Sequence, residues 1–313
     1  MAILGIAIMS CEKDNDGGKE NGNNNNNSSG SLDNWKYLDF PEARYLRSIT
    51  FGNGKFVIGG GGDNCIFYSD DNGKTWNKND IDFSFAIAIY DGTKFVGHGG
   101  SKIYSATDPA GKWTLACDLP DSYGELAYGG GYYVLAGYKG NILYSTSIDG
   151  EWKSNKIDTE FNVYDIIYAN NKFVVVGEDG LVAYTDNPAK EWKVVENHPF
   201  DDAHLRGIIF DGKNYVLVGG DEIVAYSTDL ESWNRKTVGS SNTCIVYANN
   251  YYLLGAINLL VYTTNITSTW TTVKDGPFPG LSSNVEKIAF GNNTFVAIGN
   301  AYNVPRIAYT TVK

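Results

Sequence analysis

Seven times along this chain an apolar strand ends in Tyr-Ser or Tyr-Thr, at Tyr68, Tyr104, Tyr144, Tyr184, Tyr226, Tyr262 and Tyr309. The first copy is the most complete: Cys65-Ile66-Phe67-Tyr68 runs into Ser69-Asp70-Asp71-Asn72-Gly73-Lys74-Thr75-Trp76. A polar run of this length between two aromatic-bearing apolar segments reads as a hairpin loop. Asp71 is placed to accept hydrogen bonds from loop amides that otherwise lack partners. Gly73 supplies a positive φ, and Trp76 is a large apolar anchor that holds the loop against the core.

The unit around this loop recurs at intervals of roughly 40 residues, a repeat-architecture period. Each unit opens with an apolar strand, turns at Gly52-Asn53-Gly54, Asp91-Gly92, Gly129-Gly130-Gly131, Asn170-Asn171, Asp211-Gly212, Asn249-Asn250 or Asn292-Asn293, and continues into a second strand. These turn residues accept positive φ and favour tight hairpins. Phe56, Phe95, Tyr133, Phe173, Tyr215, Tyr252 and Phe295 follow the turns. Six tryptophans then follow the Tyr-Ser/Thr pairs at spacings of 37 to 41 residues: Trp76, Trp113, Trp152, Trp192, Trp233 and Trp270. The seventh unit stops at Lys313 before its tryptophan, while Trp35 stands 41 residues ahead of Trp76. Residues 33–38 are therefore predicted to pair with the strand ending at Tyr309-Thr310 and to close a ring, which removes exposed sheet edges.

The Ser69–Trp76 motif resembles the Asp box, or BNR repeat, of the sialidase-like propellers. Asp229, Asn187 and Asn265 stand near the Asp position in later units, and Ser147 replaces it in the third. Over residues 33–313 the resemblance implies an all-β fold, a seven-bladed β-propeller of four-stranded blades. It implies a structural role for Ser69, Asp71, Gly73 and Trp76, on the face away from any site. Ligands in such propellers meet the opposite face, built by the loops before each inner strand and between the second and third strands. Composition agrees, with 36 Gly and 14% aromatic residues for a β chain rich in tight turns. A net charge of −11 argues against nucleic acid as a partner.

A sialidase would need three arginines clamping a carboxylate, a Tyr–Glu nucleophile pair and an acid/base Asp. The five arginines are Arg44, Arg47, Arg206, Arg235 and Arg306; no F/Y-R-I-P motif occurs, and seven blades stand where sialidases have six. Arg47, Tyr164, Arg206 and Glu286 hold equivalent positions just before inner strands of blades 1, 4, 5 and 7, so they are expected to converge at the channel mouth. With Asp165, and with Tyr138 at the edge, they form the candidate ligand surface. The arginines alternatively serve only to neutralise Glu125, Asp165 and Glu286. Two carboxylates at suitable separation would instead support glycoside hydrolysis. His198-Pro199-Phe200-Asp201-Asp202-Ala203-His204 is the densest set of potential metal ligands, yet it reads as a polar loop without metal. Tyr123 and Tyr302, with Phe85, Phe200 and Phe278, also map to the mouth loops, either as a recognition surface or as inter-blade packing. The reading is a non-catalytic propeller, with no cofactor, that binds a glycan or protein. A glycan-cleaving hydrolase or lyase is one alternative; an assembly factor resembling the photosystem-assembly propellers is another.

Residues 1–11 form a short apolar run ending Ile8-Met9-Ser10-Cys11, which resembles a bacterial lipobox. It is too short to span a bilayer, which takes about 20 residues. Residues 12–32 open with Glu12-Lys13-Asp14-Asn15-Asp16, similar to the acidic export signal of Bacteroidetes surface lipoproteins, and continue as a disordered Asn/Ser/Gly tether. The expected location is the outer membrane or cell surface, held only by a lipid on Cys11. Cys65, Cys117 and Cys244 are an odd set without C-x-x-C spacing and read as small buried hydrophobes. Cys11→Ala should move the protein from membrane to soluble fractions; a Cys11 that mass spectrometry finds unmodified in the full-length chain would refute lipidation.

Overall fold

The computed structural model of the protein describes residues 32–60, 64–83, 85–120, 124–196, 198–200, 202–274, 276, 278, 283–301 and 304–312. Cys11 and the proposed leader and tether up to residue 31, together with Tyr123, Asp201 and Tyr302, lie outside these residues. Among the described residues, the strands form seven four-stranded antiparallel sheets. Each sheet is a blade, lettered A to D from the channel outward. The inner strands A are Ser48–Gly52, Ile87–Tyr90, Glu125–Gly129, Val163–Ala169, Leu205–Phe210, Asn242–Ala248 and Ser283–Gly291. Each packs beside the next, and the last returns to the first. The fold is a seven-bladed β-propeller.

Its core is a ring of apolar clusters, at least one between every pair of consecutive blades. The B strands show why. Phe56-Val57-Ile58, Phe173-Val174-Val175-Val176 and Tyr215-Val216-Leu217-Val218 are buried on both faces, so odd and even residues serve two different neighbours. The packing is close where an inner strand ends. A Cβ on Gly52 would lie 2.1 Å from Cγ of Tyr90 in the next blade; Gly129 under Tyr168 and Gly291 under Phe51 are equally tight. Glycine is needed here for the approach of a ring, not for its dihedrals.

The ring closes as the tryptophan count requires, with a small difference in extent. Lys36–Asp39, rather than 33–38, pairs antiparallel with Arg306–Tyr309 as strand D of blade 7. Trp35 stands just ahead of that strand, as Trp76 does ahead of Asn77–Asp80, and packs with Phe278, Ala297 and Ala308. The clasp also has a polar component: Arg306 Nε donates to Asp39 Oδ1 at 2.7 Å, and its guanidinium lies over the Tyr37 ring. Phe40, Ala43 and Leu46 then carry the chain into the cluster between blades 7 and 1.

The C–D loops fasten the far face. Asp71 accepts from the amides of Lys74 and Thr75 and from the Thr75 hydroxyl, while Ser69 Oγ accepts from the Gly73 amide. Trp76 Nε1 donates back to the Gly73 carbonyl at 3.1 Å. Blade 5 reproduces this set with a loop one residue shorter: Asp229 accepts from Glu231 and Ser232, and Leu230, at φ 71°, takes the part that Gly73 plays at φ 81°. Asp108 does similar work in blade 2, where the motif reading found nothing. Neighbouring blades grip these loops from their D strands. Asn79 donates to two carbonyls of the blade 2 loop, Asn155 to two of the blade 4 loop, and Lys236 caps the blade 6 loop.

Deletion of residues 32–39 should lower the melting temperature by about 10 °C, because buried Leu32, half-buried Trp35 and one strand of blade 7 are lost. Gly52→Ala should cost about 1–3 kcal/mol in denaturant unfolding through the clash with Tyr90. Unchanged unfolding curves would show that neither closure nor this contact limits stability.

Candidate functional site

The loops before strand A and between strands B and C share the channel-mouth face, and the candidate residues lie on or just below it. Inner strands of blades 4 to 7 each carry a β-bulge near their start, at Val163/Asp165, Leu205/Gly207, Asn242/Cys244 and Val285/Lys287. The extra residues are Tyr164, Arg206, Thr243 and Glu286. Three of the four positions expected to be equivalent are therefore bulge residues, turned out of the ladder toward the mouth. Arg47 precedes the unbulged inner strand of blade 1, its amide held by the Gly59 carbonyl.

These residues separate into two groups. Tyr164 lies beneath the Arg206 guanidinium at 5.7 Å, with the His204 ring edge-on at 5.9 Å. Glu178 stands near the Tyr164 hydroxyl and, after burial, is the main cause of its raised pKa. Tyr138 is 65% exposed, and the amide of the next residue, Lys139, is bound by Asn162 Oδ1 beside exposed Phe161. Arg206 and His204 also line a cleft of about 410 Å³ with Asp202, Gly220, Asp221, Glu222 and Ser241. Glu286, by contrast, receives a 2.7 Å hydrogen bond from Asn284 in its own strand.

The second group lies one residue deeper. Ser48, Ile87, Glu125, Asp165, Gly207, Cys244 and Lys287 pair with equivalent B-strand positions and so form one layer around the channel. Asp165 accepts the Ile166 amide at 3.0 Å and the Ile208 amide of the next blade at 2.9 Å, which stitches blades 4 and 5. Burial raises its pKa against the pull of Lys287 and of those two amides. Burial also pushes the Glu125 carboxyl up to about 7; Lys287 draws it back, Asp165 raises it further and Arg47 lowers it. Burial disfavours the Lys287 ammonium, yet Asp165 and Glu125 hold its pKa above the ordinary value. Glu125, Asp165 and Lys287 are each half-buried. His98, buried in blade 2, bonds the Gly124 carbonyl at 2.9 Å, and burial lowers its pKa.

Several sequence expectations change here. Phe85, Phe200 and Phe278 are 0%, 1% and 4% exposed and belong to inter-blade packing, not to a recognition surface. Among the described residues Arg47 and Arg206 form no ion pair within 4.0 Å; Arg47 acts on Glu125 through its charge, without direct contact. Lys287 went unread because a strand residue between two carboxylate-bearing blades carries no local signature. Cys65 and Cys244 are buried thiols, as expected, whereas Cys117 is half-buried. No metal-ligand cluster occurs among the described residues.

No family model and no curated protein matches the chain. Solved structures do. YCF48 bound to a D1 peptide shares 15% identity over 89% of this chain and 97% of its own, with a TM-score of 0.72. YCF48 from Cyanidioschyzon merolae gives 15% identity, 88% and 98% coverage and a TM-score of 0.70. A chain of the mitotic checkpoint complex gives 13%, 97% and 98%, and 0.69. At such identities the likeness is one of fold.

Glu125 predicts a pH signature. Its folded pKa lies above the unfolded 4.5, so between about 4.5 and about 7 the folded chain keeps a proton that the unfolded chain releases. Stability therefore falls as pH rises through that window, and the penalty is complete above it. Glu125→Gln should be more stable than the parent near pH 8, by at most about 3 kcal/mol for a rise from 4.5 to about 7 at about 1.4 kcal/mol per pKa unit. The difference should vanish below about pH 4.5 in denaturant titrations. A pH-independent difference would contradict this assignment.

Proposed function

We propose that this propeller is a non-catalytic binding module that takes a polypeptide partner across its channel-mouth face. One observation carries the reading. Of the seven large apolar side chains exposed among the described residues, five lie on this face: Tyr45, Tyr138, Phe161, Ile257 and Val304. The other two, Tyr37 and Leu115, sit on outer strands. Grouped exposed apolar surface marks interaction sites, and aromatic residues with arginine dominate the energetics of such contacts. Tyr164 and Arg206, braced by His204, supply that combination next to Tyr138 and Phe161. A fold neighbour with a bound peptide is consistent with this use of the scaffold.

The enzyme reading is weaker. Both Asp165 oxygens are engaged by backbone amides that hold two blades together, which leaves Glu125 without a second free carboxylate of its own layer. Surface anchoring through a lipid on Cys11 remains part of the proposal, on the strength of the lipobox-like run alone. A displayed random-peptide library panned on the purified propeller tests the binding role. Enriched peptides should bind Tyr138→Ala and Arg206→Ala at least about tenfold more weakly, in the range of interface hot spots. Peptides that bind both folded variants like the parent would move the interface off this face.

A further inference from the structure

The aromatic surface of the mouth runs into a cleft, and the two share residues. Arg206 and His204 meet the Tyr164 ring at 5.7 Å and 5.9 Å, and both also line the cleft of about 410 Å³ with Asp202, Asp221, Glu222 and Ser241. That volume falls in the range of clefts that seat a ligand group, about 300–1,000 Å³. Its walls come from the loop before strand A and the B–C loop of blade 5, with Ser241 from the entry loop of blade 6.

Three carboxylates line this cleft against one guanidinium. Asp202, Asp221 and Glu222 are exposed, and among the described residues no lysine or arginine pairs with them within 4.0 Å. Arg206 lies on Tyr164 instead, while Lys139 and Lys156 are committed to Glu160 at 3.9 Å and 2.9 Å. The B–C loop of blade 4 adds exposed Asp179 and Glu178, which accepts the Asn162 amide at 3.2 Å beside Phe161.

Hydrated carboxylates need no partner of their own. What they set is the sign of the partner: a like charge brought into the cleft is repelled, and an opposite one is drawn in. The chain as a whole, at −11, adds a field of the same sign. A metal ion does not fit, since no group of ligating side chains among the described residues could hold one. Separated carboxylates around an open cleft suit the long side chains of lysine and arginine, whose stems also lie well along aromatic rings.

We infer that the polypeptide partner is basic, docking apolar residues on Tyr138, Phe161 and Tyr164 and a lysine or arginine side chain among Asp202, Asp221 and Glu222 in the cleft. This rests on the polypeptide-binding reading above and adds the chemistry of the partner to it.

The test uses displayed random peptides panned on the purified propeller at about 0.1 M salt, where exposed charges still act over about 10 Å. Sequencing should show lysine and arginine enriched over the unselected library, and aspartate and glutamate depleted. The triple variant Asp202→Asn, Asp221→Asn, Glu222→Gln preserves side-chain size, and asparagine suits the left-handed backbone at 202 and 221, with φ of 64° and 55°. Selected peptides, made synthetically, should bind the triple variant about fivefold more weakly, the scale of a few exposed ion pairs. That gap should close at about 1 M salt, whereas Tyr138→Ala should weaken the same peptides at both salt concentrations. Selected peptides without a basic bias would overturn the basic partner and leave the polypeptide surface standing. So would parental binding by the triple variant, folded by circular dichroism, where Tyr138→Ala weakens the same peptides. No enrichment at all, or parental binding by Tyr138→Ala and Arg206→Ala alike, would overturn the polypeptide reading and this inference together.

Discussion

The apolar faces of a single blade cannot be buried by that blade. Each sheet presents hydrophobic residues on both sides of its B strand, and only a neighbour on each side removes them from water. One missing contact would leave a whole sheet face wet, so the structure depends on the ring being closed. That closure rests on a short strand, Lys36–Asp39, and on Trp35 ahead of it, laid against the strand that ends the chain. Lys36–Asp39 and Val304–Thr311, far apart in the chain, share one sheet.

With the ring closed, position around the axis becomes a means of assembling chemistry. Every inner strand brings the same register position to the same depth, so blades 3, 4 and 7 deliver Glu125, Asp165 and Lys287 to one layer. The C–D loops play the opposite part. Their acids and serines spend their hydrogen-bonding capacity on their own loop amides, as in Asp71 and Asp229, and leave that face occupied with structure. The division leaves uncommitted charge and exposed aromatics concentrated at the mouth, with a polar channel below.

The repeat unit was legible wherever its chemistry is local. Ser69, Asp71, Gly73 and Trp76 interact within eight residues of one another, so their spacing alone states the loop. The blade 5 loop was only partly legible because Leu230 adopts a positive φ that its identity does not announce. Asp108 was missed because Pro109 and Ala110 follow it where the pattern has polar residues and glycine. Phe85, Phe200 and Phe278 looked like surface aromatics because they fall in loops, yet those loops fold inward against the blades.

The sequence by itself determined the number of blades, their strand order and the segment that closes them. These follow from hairpins and periodicity, which act over a few residues, and from a missing tryptophan at one end that reappears at the other. Which side chains meet at the axis was decided only by the tertiary structure. Glu125 and Lys287 lie far apart in the chain, and the bulge at Val285/Lys287 shifts the alternation that would assign faces along that strand. One inserted residue changes which side chain enters the channel, and no local pattern in the chain records that choice.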